Sequence, residues 1–141
     1  MEKVAIASDH AGFKLKSKII NYLANKFEVI NLGTNDENPV DYPDYAANLV
    51  TYVKANNIKK SILICGSGIG MSIAANRDPY IRAALCYNKG SAMLARQHND
   101  ANILVLGSNM SSEDEAIEIV EMFFLTEFEA GRHQRRIEKL C

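Results

Sequence analysis

Five short aliphatic runs, each followed by a longer stretch with helical spacing, limit the possible folds more than any other feature. The runs cover residues 4–7, 28–32, 61–65, 81–86 and 103–106. The spacing of apolar residues predicts helices over 12–26, 43–56, 70–77, 90–98, 112–126 and 131–140. This alternation is typical of βαβ units, and runs that are nearly continuous in apolar residues suit a sheet covered on both faces. We therefore predict a Rossmann-like three-layer α/β/α sandwich with a five-stranded parallel sheet and a C-terminal helix.

The size and composition of the chain agree with a single domain over residues 1–141. The chain is 48% hydrophobic, enough for one core, and no linker or repeat interrupts the pattern. The net charge of −1 disfavours nonspecific binding of nucleic acid. No apolar run approaches the roughly 20 residues of a membrane span. We expect a cytoplasmic protein that binds neither nucleic acid nor membranes.

The three cysteines, Cys65, Cys86 and Cys141, are widely spaced and form no CxxC pair. Neither a disulfide framework nor a zinc site is therefore indicated. A cysteine with a special role in this chain would act as a thiol.

Ligands of open α/β sheets bind at the carboxyl ends of the strands, so the residues after each run are candidates for a site. Two of these ends carry reactive side chains, namely Asp9 with His10 after the first run and Cys65 at the end of the third. Asp9 and His10 would either orient hydroxyls and transfer protons or cap the helix that starts near Gly12.

The third run continues into a glycine-rich loop, with Cys65 followed by glycines at 66, 68 and 70. Backbone N–H groups of such a loop at a helix N-terminus favour anions, and the same positive end favours the thiolate form of a cysteine. Cys65 is therefore a candidate base or nucleophile. The alternative is a tight turn with a buried, inert cysteine.

Nucleotide binding and ester hydrolysis fit this loop less well. Its GxGxG spacing differs from the dinucleotide GxGxxG, and no Gly-Lys-Ser/Thr follows it. Tyr87 and Asn88 stand where a ribose-binding carboxylate would be needed. Ser67 and His98 lack the GxSxG of a nucleophile elbow.

Three further positions have both a chemical and a purely structural interpretation. His98 ends the fourth helix, where a histidine also interacts with the helix dipole. Arg132 and Arg136 share a helix face that suits one phosphate, unless they form a solvated basic face. Tyr42 precedes Pro43, a pair that also suits the start of a helix.

Five segments together resemble the type B ribose 5-phosphate isomerase family, part of the ribose/galactose phosphate isomerases. They are SDHAGF at 8–13, DYP at 41–43, CGSGIGMSIAAN at 65–76, RQHNDAN at 96–102 and GRHQ at 131–134. Because they cover essentially the whole chain in the family's order, chance is a poor explanation.

The resemblance implies a metal-free, cofactor-free interconversion of D-ribose 5-phosphate and D-ribulose 5-phosphate through a cis-enediolate, in the non-oxidative pentose phosphate pathway. By the same resemblance, Cys65 takes the proton from C2 and returns it at C1, while His98 is the acid that assists ring opening. The implied anion hole consists of Ser67 and the backbone of Gly66, Gly68, Ile69 and Gly70.

The resemblance also implies how the sugar phosphate is held. Asp9, which is counted with the catalytic residues, would bind sugar hydroxyls together with His10 and Asn99. Tyr42 would line the same pocket. Arg132 and Arg136 would bind the phosphate. It further implies a homodimer with active sites shared between subunits, with pairing into tetramers left open.

Three positions separate this chain from the general pattern of the family. Ser67 stands where many relatives carry threonine, which keeps the hydroxyl. Asn109 stands where relatives often present an arginine, so we expect weaker phosphate binding. Some branches use a glutamate base from the loop, but Met71 follows Gly70 here and leaves Cys65 as the candidate.

Two alternatives stay open at this point. The substrate could be a six-carbon sugar phosphate, allose or galactose 6-phosphate, because ring size depends on pocket depth rather than on a motif. A non-enzymatic phosphosugar-binding module on the same fold would need the glycines and arginines but neither Cys65 nor His98.

Overall fold

The computed structural model describes residues 1–140 and leaves Cys141 outside the description. Its strands are β1 (Lys3–Ser8), β2 (Glu28–Asn31), β3 (Ser61–Cys65), β4 (Ala83–Leu85) and β5 (Ile103–Gly107). Its helices are α1 (Phe13–Leu23), α2 (Tyr42–Asn56), α3 (Ile69–Ala75), α4 (Lys89–Asn99), α5 (Glu113–Leu125) and α6 (Arg132–Glu138). Within residues 1–140, none of these helices combines the length and the apolar character needed to cross a membrane.

All five strands pair in parallel, in the spatial order β2-β1-β3-β5-β4. In the middle of the sheet, Ile62 is opposite both Ile6 of β1 and Leu104 of β5. The order reverses direction between β1 and β3, which is the place where open α/β sheets form ligand sites. The predicted five-stranded parallel sheet is confirmed.

Two apolar clusters lie on the two faces of this sheet. One contains Ile64 and Leu106 of the strands together with buried residues of α1, α4 and α5. The other contains Leu63 and Val105 together with buried residues of α2 and α3. Adjacent strand residues thus point into opposite layers, and burying each such aliphatic side chain contributes roughly 1.5–3 kcal/mol. The predicted three-layer arrangement is confirmed.

The elements are slightly shorter than the sequence pattern suggested. Helix α1 ends at Leu23, where Phe27 N–H turns back to the Leu23 carbonyl at 2.9 Å. Strand β4 begins only at Ala83, because the Arg82 N–H donates to the side chain of Asn102 at 2.7 Å instead of extending the ladder. The first bond is a backbone turn and the second joins residues 20 apart in sequence, so apolar spacing reveals neither of them.

Helix α5 begins with a reciprocal cap made by Ser112 and Glu115. Ser112 Oγ accepts from the Glu115 N–H at 3.2 Å, and the Glu115 carboxylate accepts from the Ser112 N–H at 3.0 Å. The two hydrogen bonds satisfy two donors that the first helical turn otherwise leaves unpaired. The hydrogen bond from the Ser112 N–H, and after it the Ser112 hydroxyl, hold the pKa of Glu115 below its ordinary value, because donors favour the carboxylate.

Replacing Ser112 with alanine should lower the free energy of unfolding by about 1 kcal/mol, since one of these N–H groups loses its acceptor. Urea unfolding followed by circular dichroism measures the change. Ser111→Ala is the matched control, because no residue of the described chain hydrogen-bonds to the Ser111 side chain. Equal loss in both variants would contradict the cap.

Candidate active site

The glycine-rich loop closes around the sulfur of Cys65 at the carboxyl end of β3. Cys65 Sγ accepts a hydrogen bond from the Gly68 N–H at 3.2 Å, and the residue is 5% exposed. Hydrogen bonds from backbone N–H groups favour a charged acceptor over a neutral one. The loop therefore places a hydrogen-bond donor directly on this sulfur.

Gly68 allows this tight turn because no other residue fits there. Its φ is +83°, and an added Cβ would lie 2.4 Å from Leu85 Cδ1 and 3.1 Å from the Leu106 carbonyl. The left-handed backbone and the close approach to β5 both require glycine. Helix α3 starts immediately afterwards at Ile69, so the loop bends directly from strand into helix.

Several backbone donors of the loop remain available. Within residues 1–140, the N–H groups of Gly66, Ser67 and Gly70 have no acceptor. Ser67 Oγ accepts from the Ile69 N–H at 3.2 Å, which leaves its own hydrogen free to donate. Unpaired N–H groups beside one hydroxyl are the arrangement that stabilises a developing oxyanion.

Asp9 and His10 lie next to the loop, at the end of the neighbouring strand β1. Asp9 N–H donates to the Ile64 carbonyl at 3.2 Å, which ties Asp9 to the residue before Cys65. The Asp9 carboxylate is buried and accepts from the N–H of Gly12, the residue that precedes α1, at 3.1 Å. His10 Nδ1 accepts from the Val40 N–H at 3.1 Å, so in the neutral ring Nε2 carries the hydrogen.

Tyr42 is brought to the same loop by α2. It is the first residue of this helix, followed by Pro43 as expected for a first turn. Its ring lies against Gly70, because a Cβ on Gly70 would fall 2.5 Å from Tyr42 Cζ. Tyr42 therefore forms one wall beside the loop.

Tyr87 and Asn109 complete the surroundings of the loop, and the sequence pattern did not indicate a role for Tyr87 there. Tyr87 donates its hydroxyl to the Ser67 carbonyl at 3.1 Å, and Asn109 N–H donates to the Gly66 carbonyl at 2.9 Å. Both residues come shortly after the end of a strand. This position is the sequence signal that could have indicated them as neighbours of the site.

The remaining predicted residues lie at the opposite edge of the sheet. Asn99 O accepts from Arg82 Nε at 3.0 Å, and Arg82 directly precedes β4. Asn102 O accepts at 3.1 Å from the N–H of Ser61, the first residue of β3. His98 and Asn99 are thus at the amino ends of the strands.

Helix α6 packs at this same edge of the sheet. The His133 ring stacks on the His98 ring, with centroids 4.3 Å apart and an interplanar angle of 15°. Arg132 and Arg136 are exposed on α6, and no carboxylate of residues 1–140 pairs with either one. Both guanidinium groups are therefore free to bind an anion.

One chain consequently carries two separate groups of site residues. Cys65 ends β3, whereas the group around His98 lies where β3 begins. A strand of five residues spans roughly 13 Å, which is too far for both groups to contact one small sugar.

His98, Glu129 and His133 are the residues that come nearest to a metal-binding set. Their ligand atoms lie within 4.8 Å of one another. The two rings are almost parallel, however, so their in-plane lone pairs do not converge on one point. The described arrangement fits ring stacking better than shared coordination.

The charge state of His133 follows from its surroundings. Burial lowers the pKa of His133 below its ordinary value, and the nearby His98 lowers it further. Arg132 and Arg136 act in the same direction, and Glu129 opposes them. His133 is therefore biased toward the neutral form.

Known proteins match the chain over nearly its full length. The family model for Ribose/Galactose Isomerase matches residues 4–140. Ribose-5-phosphate isomerase B of Escherichia coli is 43% identical over 99% of this chain and 95% of its own. The crystal structure of a ribose 5-phosphate isomerase from Thermotoga maritima has a TM-score of 0.95 at 53% identity, covering 99% of this chain and 97% of its own.

A further solved structure contains a ligand. It is ribose-5-phosphate isomerase B of Mycoplasma genitalium with bound ribulose-5-phosphate, with a TM-score of 0.93 at 45% identity, covering 98% of this chain and 93% of its own. Sequence and fold agree, and the chain belongs to the ribose/galactose isomerase family.

Proposed function

We propose that this protein interconverts D-ribose 5-phosphate and D-ribulose 5-phosphate through a cis-enediolate. The observation that carries the proposal is the buried Cys65 thiol enclosed by a loop with unpaired N–H groups. The ribose-5-phosphate isomerases with which it shares 43–53% identity support the choice of substrate. We propose that residues 1–141 act as one domain.

We place the reaction in the cytoplasm and in the non-oxidative pentose phosphate pathway. The free thiols of Cys65 and Cys86 fit a reducing compartment. A pentose phosphate isomerase connects the aldose and the ketose of that pathway.

Cys65 performs the proton transfer in this mechanism. Its thiolate removes the proton from C2 of the open aldose, and the electrons move onto the C1 carbonyl oxygen to give the enediolate. A proton passes from the oxygen on C2 to the oxygen on C1, and the Cys65 thiol returns its proton to C1. The product is the ketose, with C2 as its carbonyl carbon and the thiolate restored.

The loop stabilises the charge that develops on the enediolate oxygen. Gly66, Ser67 and Gly70 supply N–H groups that are already oriented and have no other acceptor. One such donor is worth roughly 3 kcal/mol of the barrier. Gly68 and Ile69 shape the turn that presents these donors.

Residues from both edges of the sheet bind the remaining parts of the sugar phosphate. Asp9, His10 and Tyr42 line the Cys65 side, where carboxylate, imidazole and phenol suit sugar hydroxyls. The other group supplies ring opening through His98, a hydroxyl contact through Asn99, and phosphate binding through Arg132 and Arg136.

Since the two groups cannot meet within one chain, we propose a homodimer in which each active site combines both. Ile69 and Ile73 are 51% and 53% exposed on the outer face of α3, beside the Cys65 loop. Tyr42 is 39% exposed at the same place. An exposed apolar surface around a catalytic loop suits coverage by a second copy that brings His98.

The purified protein should convert ribose 5-phosphate to ribulose 5-phosphate in the presence of EDTA. Cys65→Ala should lower kcat at least about a hundredfold, because the general base is lost. Absorbance of the ketose product measures turnover. Cys86→Ala is the matched control, since Cys86 is 1% exposed and burial raises the pKa of its thiol.

The same assay with allose 6-phosphate and galactose 6-phosphate tests the substrate. Faster turnover of a six-carbon substrate would replace the pentose assignment while keeping the mechanism. Binding of all three sugars without turnover would indicate a binding module instead.

Mixing two inactive variants tests the shared site. Cys65→Ala and His98→Asn subunits, refolded together in equal amounts, should recover about a quarter of wild-type activity, because half of the dimers are mixed and each has one intact site. Cys65→Ala mixed with Asp9→Asn is the control and should recover nothing, because both residues lie on the same edge. Failure of the first mixture would contradict sharing.

Introducing a charge at position 109 should strengthen phosphate binding. The Asn109 amide nitrogen lies 3.2 Å from where a Cβ of Gly66 would be, so the Asn109 side chain lies beside the glycine-rich loop. Asn109→Arg should lower KM about threefold to tenfold through a charge-assisted contact. Asn109→Gln keeps the amide as a control, and an unchanged KM in Asn109→Arg would show that phosphate lies elsewhere.

A further inference from the structure

The stacked pair of His98 and His133 contains one histidine that the proposed reaction does not use. His98 lies in the last turn of α4 and His133 in the first turn of α6. Their rings are 4.3 Å apart and inclined by only 15°. His133 is 8% exposed, so its ring is a fixed part of the interior.

Backbone hydrogen bonds hold this pair in place from both sides. Glu129 N–H donates to the Gln97 carbonyl at 3.1 Å, which joins the segment before α6 to the residue before His98. His133 N–H donates to the Ala130 carbonyl at 3.1 Å, and Ala130 has a φ of 56°. This sharp turn directs the His133 side chain toward α4.

We propose that His133 is a positioning residue, which holds the His98 imidazole in the orientation needed to protonate the sugar ring oxygen. The inference rests on the proposed isomerase function. A general acid acts only when its nitrogen is within hydrogen-bond reach of the substrate. His98 is near a helix end, where a side chain without a packed neighbour samples several rotamers.

The charges around the pair agree with this role. A protonated His133 would repel a positive charge on the His98 ring, whose centroid is 4.3 Å away. The groups facing His133 are His98 on α4, Glu129 on the connecting segment, and Arg132 and Arg136 on α6. Their sum and the burial disfavour a proton on His133, so His133 is a neutral neighbour for the His98 ring.

Two substitutions distinguish the effect of the stacked His133 ring from the effect of its nitrogen atoms. His133→Ala removes the stacked ring and should lower kcat for ribose 5-phosphate about tenfold, with KM within about twofold, because the acid is misoriented while the substrate contacts remain. His133→Phe keeps an aromatic ring of similar shape and should retain kcat within about threefold. Arg135→Ala, on the exposed face of α6, is the control and should leave both constants unchanged.

Nuclear magnetic resonance detects the stacking without relying on turnover. The chain has only 3 histidines, so the imidazole CH signals can be assigned by single substitutions. The His98 signal should move when His133 becomes alanine, because the ring current of its neighbour is lost. A pH titration should show a His133 pKa below the ordinary value for histidine.

Several results would overturn the inference. For His133→Ala, these results are an unchanged kcat, with or without a raised KM, and a His98 signal at the same position as in the wild type. For His133→Phe, the result is a kcat as low as that of His133→Ala. If His133→Ala does not fold, the His133→Phe variant tests the inference alone. Turnover of this variant at the wild-type rate would support ring stacking, and slow turnover would overturn it. A wild type without isomerase activity would refute the proposed function, while the resonance experiment would still report whether the rings stack.

Discussion

The common direction of the five strands is the constraint on which the rest of the structure depends. Each of the helices α1 to α4 returns the chain from the carboxyl edge of the sheet to the amino edge before the next strand begins. Residues after a strand and residues after a helix therefore lie at opposite edges. This explains why Cys65 follows β3 into the glycine-rich loop, whereas His98, at the end of α4, lies roughly the length of a strand away.

Close backbone packing forms the catalytic side of the molecule. The loop after β3 passes so near to β5 and α2 that Gly68 and Gly70 meet Leu106 and Tyr42 where a side chain would stand. This proximity frees N–H groups from the sheet without exposing them fully to water, and a low-dielectric site strengthens their effect on a developing charge. Stability and chemistry thus depend on the same contacts.

At the opposite edge of the sheet, the functional side chains lie near the ends of helices rather than in a loop after a strand. The last turn of α4 and helix α6 bring together His98, His133, Arg132 and Arg136, and no carboxylate of residues 1–140 pairs with either arginine. A helix of seven residues such as α6 is not stable alone, and it is held here by Ile137 and His133, which are 7% and 8% exposed. Burial of His133 therefore links the docking of α6 to the position of His98.

The sequence by itself determined the layers, the order of the elements and the Cys65 loop, because these follow from local apolar spacing and from glycines adjacent in the chain. It also indicated Asp9, His10 and Tyr42, since strand ends and a proline at a helix start are local signals. Only the tertiary structure separated His98 and the arginines from Cys65, and only it stacked His133 on His98. The physical reason is that edge position and ring contact depend on how distant elements pack, which a spacing pattern within one segment does not contain.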